Sequence, residues 1–518
     1  MVGKKLLDGL VDSSTMLNMQ TQNAAAADLN NDLSATTAPP VRAWSEQQTA
    51  FFAAVAAGER DVFLDAKAGT GKTTSLVEAA SLLKGKTVLA LAFNSKTAAE
   101  LKARMPPHVE SKSFNAFGFG QLFRRLGRVE VDRDRVRKLA EMVVPDRREL
   151  KKQWVHLRQL VSLTKGELVY TIPEIDALVD KYEMDLADCE GNAKLRPVVV
   201  QNTLKVLRLA RDVDRSVDFD DQIWLPEVLD LNTKKFDRIL VDEVQDMNPA
   251  QYALVLRALA PGGHIIAVGD PRQAIYGFRG AGGSGMVNRF LAEREALHMP
   301  LSVTFRCPKL VVAEVVDIVP GYVAHESAPD GEVVHAHWDN EIDPKQIEKG
   351  AFVISRTNAP LVRHCLAFVA KGVRATMLGR DFGGRLIAII DASQQTSVGL
   401  FIKWLNSSEQ TEMSHMREGF DDKKAAELLD RNNSLRALAE GLTDINALRS
   451  RIETFFAAEP DGVAVVFTST HKAKGLENRN VYVFADTYKS HNEEERNMWY
   501  VALTRSQYKL VLCEGGVK

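Results

Sequence analysis

The sequence predicts an α/β fold of two units with parallel sheets, each unit carrying a mainly helical insertion. Three observations predict it. Short apolar runs of strand length recur in two sets, with helical stretches between them. Those runs are continuous rather than alternating, as in strands buried on both faces by covering helices. A glycine-rich loop follows the first run and opens a helix, a connection that belongs to parallel α/β units.

Residues 1–40 read as a tail, because Ala24-Ala25-Ala26-Ala27, Asn30-Asn31 and Thr36-Thr37-Ala38-Pro39-Pro40 hold no sustained period. The first unit comprises residues 41–120 and 236–297, with apolar strand candidates at 62–64, 88–93, 239–241 and 265–268. Residues 121–235 interrupt it as a helical insertion. The second unit comprises residues 298–379 and 456–518, with strand candidates at 352–354, 463–467, 481–484 and 510–512. Residues 380–455 form a reduced helical insertion in it, with a charged run at 418–430.

With 518 residues the chain has room for several domains, and 45% hydrophobic with 26% charged residues is an ordinary globular composition. No apolar run approaches the roughly 20 residues that span a bilayer, so no membrane partner is expected. Asp8, Gly9 and Asp12 break up the apolar residues after Lys4-Lys5, which argues against a signal peptide. The four cysteines are scattered without metal-ligand spacing and read as reduced thiols. The expected location is the cytoplasm of a bacterial or phage-infected cell, or the nucleus if the source is eukaryotic. A net charge of −2 gives no global basic field, yet residues 122–165 hold thirteen Lys/Arg against six Asp/Glu. That run, with Arg124, Arg125, Arg128, Arg147, Arg148, Lys151 and Lys152, either follows a phosphate backbone or forms a solvated helical face.

The glycine-rich loop is Ala66-Lys67-Ala68-Gly69-Thr70-Gly71-Lys72-Thr73. Its glycines let the backbone of Ala68, Gly69, Thr70, Gly71, Lys72, Thr73 and Thr74 wrap phosphates at a helix N-terminus. Lys72 is expected to reach the β- and γ-phosphates and Thr73 to ligate Mg²⁺. Val241-Asp242-Glu243-Val244-Gln245-Asp246 ends another strand-like run with paired acids. Such a pair can simply cap a helix. Beside a phosphate loop, Asp242 is the expected Mg²⁺ partner and Glu243 the base or orienter of the attacking water. Hydrolysis also needs positive charge on the transferring phosphoryl group, for which Arg306 and Arg505 in the second unit are candidates.

Taken in order, the runs resemble superfamily 1 helicases of the UvrD/Rep type, with a lean toward the F-box DNA helicase branch and small phage or bacterial relatives. Ser45-Glu46-Gln47-Gln48 is similar to the Q motif, implying that Gln48 reads adenine. Residues 91–101, with Phe93-Asn94-Ser95-Lys96, and residues 111–118, with Ser113-Phe114-Asn115-Ala116-Phe117, resemble motifs that contact single-stranded DNA, with Asn115 where the family usually has His. Phe93, Asn94 and Phe114 are therefore DNA-binding candidates. Asp218-Phe219-Asp220-Asp221 resembles the acidic signature before motif II, and residues 241–246 resemble motif II itself. Gly269-Asp270-Pro271-Arg272-Gln273-Ala274-Ile275-Tyr276-Gly277-Phe278-Arg279 resembles motif III. There the resemblance implies that Gln273 senses the γ-phosphate and that Phe278 and Arg279 meet DNA, Phe278 standing where many relatives use Trp. Thr304-Phe305-Arg306-Cys307-Pro308 resembles motif IV, with Phe305 on adenine and Arg306 on the γ-phosphate. Thr470-His471-Lys472-Ala473-Lys474-Gly475-Leu476-Glu477 is similar to motif V, implying that His471 faces DNA and Glu477 the ribose. Residues 494–505 resemble motif VI, with Arg505 as arginine finger.

The resemblance implies two RecA-like P-loop motor domains with ATP and Mg²⁺ between them. It also implies an ATP-hydrolysing DNA helicase moving 3′→5′ on single-stranded DNA and at ss/dsDNA junctions, in replication, repair or recombination. A translocase that strips bound proteins, and a motor subunit of a larger repair complex, stand as alternatives. A monomer is compatible with this pattern, as is contact with replication or recombination proteins.

Overall fold

The computed structural model describes residues 43–184, 186, 195–212, 215–277, 283–414, 422–457, 464–488 and 492–516. The chain divides into a segment Met1–Glu46 and a compact unit Gln47–Lys518. The expected tail at 1–40 lies outside the described residues.

The first sheet has six parallel strands: β1 (Val62–Ala66), β2 (Val88–Ala92), β3 (Val109–Ser113), β4 (Phe236–Asp242), β5 (Leu259–Gly269) and β6 (Leu297–Leu301). Their order across the sheet is β3-β2-β4-β5-β1-β6. Apolar side chains pack on both faces. One layer gathers Phe51, Val55, Leu64, Leu76 and Leu101. The other gathers Phe63, Leu89, Phe114, Phe117, Tyr252 and Val255. Two-sided burial is why β1, β2, β4 and β5 read as unbroken apolar runs.

The strand Leu297–Leu301 carries the first sheet past residue 297, where the sequence had suggested a boundary. It pairs with β1 from Val62↔Leu297 to Ala66↔Leu301. Asp61 fixes the return of the chain: its carbonyl accepts from the Leu297 N–H at 2.8 Å, and its carboxylate pairs with Arg294 at 2.5 Å. A buried acid just ahead of β1 thus selects the neighbouring strand.

The second sheet is also six-stranded and parallel: β7 (Glu332–His337), β8 (Phe352–Ser355), β9 (Ala375–Met377), β10 (Val465–Ser469), β11 (Asn478–Phe484) and β12 (Ser506–Glu514). Its order is β7-β12-β11-β8-β10-β9. Between β9 and β10 run four helices, Arg380–Ser393, Val398–Ser414, Asp422–Ala439 and Ile445–Ala457, which share a core with this sheet through Phe382, Phe401, Leu435, Leu448 and Phe456.

Between helix Phe114–Leu126 and β4 the chain forms helices Arg135–Val143, Arg147–Glu167, Ile172–Lys181, Leu195–Ala210 and Asp221–Val228. They close on their own core, with Leu157, Val161, Val206 and Trp224 at its centre. Helix starts are chemically marked: Thr171 and Glu174 form a reciprocal capping box, and the Asp146 carboxylate accepts from the N–H groups of Arg148 and Glu149. The basic run splits in two here. Arg147, Arg148, Lys151 and Lys152 are exposed. Arg135 and Lys165 are instead buried in ion pairs: Lys165 lies 2.6 Å from Asp218 and 2.8 Å from Asp221, and Arg135 lies 2.7 Å from Asp221. Among the described residues, no helix is long and apolar enough to cross a membrane.

Candidate nucleotide site and DNA face

In a parallel sheet all strands end on one edge, and the loops leaving that edge build the site. β1 ends in the glycine-rich loop, β4 ends at Asp242, and β5 ends at Gly269-Asp270. The loop turns through Gly69 (φ 69°) and Gly71 (φ 89°) before helix Lys72–Ser81 begins. A side chain at Gly69 would also fall on Thr304 and Arg306, so glycine is required there twice over. The Gly69 carbonyl accepts from the Phe305 N–H at 2.9 Å. Motif IV, on the second unit, is thereby laid against the loop.

Thr73 donates to Asp242 Oδ2 at 3.2 Å, and the Lys72 ammonium lies 3.3 Å from the Glu243 carboxylate. Glu243 sits at φ 54°, a left-handed conformation that costs a non-glycine residue energy and is typical of functional positions. Gln245 donates to Glu243 and accepts from the Asp270 N–H at 3.1 Å. Burial pushes the Asp242 carboxyl above its ordinary range, and the neighbouring Glu243 charge adds to this. Burial pushes Glu243 the same way, but Lys72, Lys474 and the Gln245 amide outweigh it and hold Glu243 below its ordinary range. Two adjacent acids are thus set apart: Glu243 is ionised and paired, whereas Asp242 is poised for a cation to relieve its charge. Thr73 hydroxyl and Asp242 carboxylate are hard oxygen donors that suit Mg²⁺.

Two arginines, Arg306 and Arg505, stand on the second unit. Arg505 is 1% exposed and spends its donors on the carbonyls of Val501 (2.8 Å) and Leu476 (3.1 Å) and the Thr504 hydroxyl (3.1 Å). Burial first, and then Arg306 nearby, lowers its pKa to about 10, so it stays charged at neutral pH. A buried guanidinium bonded to neutral oxygens, next to a second arginine, is an environment that favours an incoming anion. Arg306 approaches Glu477 at 2.5 Å, yet its Nε lacks a well-directed hydrogen bond, so charge rather than alignment holds the pair. Phe305 is half exposed and lies over His325 with ring centroids 4.7 Å apart. Gln48 is buried and donates to Ser75 Oγ at 3.0 Å, which ties it to the helix that follows the glycine-rich loop. Thr74 faces outward and accepts from Arg104 at 2.8 Å.

Two expectations are corrected by geometry. The Ala68 N–H, expected to face phosphate, donates to the Tyr500 hydroxyl at 2.8 Å, while the Ala68 carbonyl accepts from Tyr322 at 2.8 Å. Phe114, expected to stack on DNA, is buried in the core beneath the first sheet, because it opens its helix on the sheet-facing side. Asn94 caps helix Ser95–Arg104 by accepting from the Thr97 N–H at 2.8 Å. Asn115 donates to the Phe219 carbonyl at 2.7 Å. Phe278 and Arg279 lie outside the described residues.

An aromatic row crosses between the two units. Phe93 lies nearly parallel to Tyr276 at 6.5 Å, and His471 follows at 6.1 Å on the Tyr276 ring. Tyr276 donates to the His471 carbonyl at 3.1 Å, and the His471 ring bonds to the Ile275 carbonyl at 3.1 Å. Beneath it Lys474, missed in the sequence, reaches Asp246 at 2.7 Å and donates to the Gln273 carbonyl at 2.7 Å. Its spacing within the motif V run was the available signal. Gln273 itself donates to Asp270 Oδ2 at 2.7 Å.

Residues 45–289 match the model of the UvrD/REP helicase N-terminal domain, and residues 464–513 match that of a UvrD-like helicase C-terminal domain. The chain is 30% identical over 245 residues to ATP-dependent DNA helicase PcrA of Staphylococcus aureus, covering 44% of this chain and 33% of that protein. PcrA of Staphylococcus epidermidis is equally similar, at 30% identity, 44% of this chain and 34% of the relative. The chain thus spans about a third of the length of the curated relatives it matches. A solved Arterivirus nonstructural protein 10 (helicase) with DNA is similar at 14% identity and a TM-score of 0.34, covering 89% of this chain and 62% of that one. With both domain models present, in order and together over more than half its length, the chain belongs to the UvrD/REP helicase family of superfamily 1.

Proposed function

We propose that the protein is an ATP-dependent DNA helicase or translocase that moves 3′→5′ along single-stranded DNA and separates strands at ss/dsDNA junctions. The observation that carries this reading is that the phosphate loop is built by one sheet and held by the other. Lys72, Thr73, Asp242 and Glu243 stand on the first, and Phe305, Arg306 and Tyr500 meet the loop or its partners from the second. Mg²⁺ held by Thr73 and Asp242 would supply positive charge to the phosphate oxygens when bound. Lys72 binds the phosphate tail, exchanging Glu243 for it. Glu243, freed and kept ionised, orients the attacking water and accepts its proton. Arg306 and Arg505 stabilise the charge that spreads over the transferred phosphoryl group, an effect worth roughly 10³–10⁵ in rate for arginine fingers. Gln273 reports the γ-phosphate to Lys474 through its own carbonyl. DNA lying along the Phe93–Tyr276–His471 row is gripped by aromatic faces, each stack worth about 1–3 kcal/mol whatever the base.

Unwinding of 3′-tailed, 5′-tailed and RNA-tailed duplexes with ATP tests the reading. Strand separation from the 3′-tailed DNA substrate is expected. Activity confined to 5′ tails would overturn the direction, and no ATP-dependent action on any DNA would overturn the function.

A further inference from the structure

We infer that Tyr500 is a positioning residue that carries nucleotide state from the phosphate loop to the DNA side, an inference that rests on the function proposed above. The Tyr500 side chain is fully buried and belongs to helix Glu493–Leu503 of the second unit, yet its hydroxyl lies among groups of the first. The Ala68 N–H donates to it at 2.8 Å, and it lies 3.0 Å from Asp270 Oδ2. The hydroxyl has one hydrogen. Accepting from Ala68, it must spend that hydrogen on the carboxylate. Burial and the Asp270 charge keep the phenol protonated, so this polarity is constant.

Asp270 is a junction. The same Oδ2 accepts from the Gln273 side chain at 2.7 Å, and Oδ1 accepts from the Arg272 N–H at 3.1 Å. The Asp270 N–H donates to Gln245, whose amide donates to Glu243. The Gln273 carbonyl accepts from Lys474 at 2.7 Å, and Lys474 pairs with Asp246 beneath Tyr276 of the aromatic row. A continuous path of hydrogen bonds therefore runs from the phosphate-loop peptide, through one tyrosine of the opposite unit, to the residue that positions water and to the residues beneath the DNA face. Tyr500, Asp270, Gln245 and Gln273 are all buried, where hydrogen bonds are strong and a shifted member leaves its partners unsatisfied. Tyr322 serves as an internal control. It holds the other side of the same peptide, donating to the Ala68 carbonyl at 2.8 Å, with its ring edge-on to Tyr500 at 6.1 Å, but it has no hydrogen bond to Asp270.

The test is the affinity of the full chain for a fluorescent oligothymidylate, with and without a non-hydrolysable ATP analogue at saturation for each variant. The ratio of the two dissociation constants is the coupling between the sites. Wild type is expected to show a ratio of about fivefold or more. Tyr500→Phe keeps the ring and loses both bonds of the hydroxyl, and its ratio should fall toward one. Asp270→Ala, which removes the acceptor shared by Tyr500 and Gln273, should behave alike and covers the case in which Tyr500→Phe folds poorly. Tyr322→Phe should keep the wild-type ratio. A merely structural tyrosine would lower the melting temperature and leave the ratio at saturation intact. A wild-type ratio in folded Tyr500→Phe, or an equal fall in Tyr322→Phe, overturns the relay. Wild type that binds both ligands without coupling overturns the relay alone, whereas wild type that binds neither overturns the proposed function.

Discussion

At the residue scale, the paired acids show function set against stability. Asp242 is buried beside the Glu243 charge, and its carboxyl is raised above the ordinary range. A carboxyl whose pKa is raised by folding destabilises the folded chain in full above that raised value. The penalty shrinks as pH falls and is gone below the ordinary carboxylate range. Asp242→Asn should therefore raise the melting temperature of nucleotide-free protein at about pH 7.5, and raise it less at about pH 4.5, while abolishing ATP hydrolysis. Thermal melts at the two pH values check this. Equal shifts at both would place the origin elsewhere. The grouping of Asp242, Glu243, Lys72 and Thr73 was legible because phosphate chemistry dictates residue type and short spacing together. Ala68 and Tyr500 were not. Their bond joins residues 432 positions apart, and nothing local in either run announces it.

At the scale of elements, the four strands of the two six-stranded sheets that escaped the sequence are the edges of those sheets. The inner strands β1, β2, β4 and β5, and β8, β10, β11 and β12, are apolar on both faces and read clearly. β3 carries Glu110 and Lys112, β6 carries His298 and Pro300, β7 carries Glu332, His335 and His337, and β9 has only three residues. Edge strands have one neighbour and more solvent, so they tolerate charge and proline and lose the apolar signature. The acidic signature of residues 218–221 was legible as sequence but not as structure. It proves to be half of a buried ion cluster that joins helix Arg147–Glu167 to helix Asp221–Val228. Opposing aspartates keep Lys165 charged despite full burial. Removing one member leaves the rest uncompensated, so Lys165→Ala should cost about 3–5 kcal/mol. Chemical denaturation checks it, and a loss near zero would mean that water already reaches the cluster.

At the scale of the whole unit Gln47–Lys518, the two sheets meet through the candidate nucleotide site. Motif IV lies on Gly69, two tyrosines hold Ala68, and Lys474 pairs with Asp246 and holds the Gln273 carbonyl. The order of motifs along the chain made the existence of two units legible, but not the atoms through which one senses the other. On the proposed function, a site divided in this way would give hydrolysis a mechanical consequence, because losing the γ-phosphate would remove what Arg306 and Arg505 are proposed to hold from across the boundary. The most direct measurement is steady-state ATP turnover at saturating single-stranded DNA by wild type and by Arg505→Lys, which keeps the charge but not the planar fork. DNA-stimulated turnover by wild type and a loss of about 100-fold or more in the folded variant are expected. Turnover by Arg505→Lys equal to wild type would contradict a site completed by the second sheet.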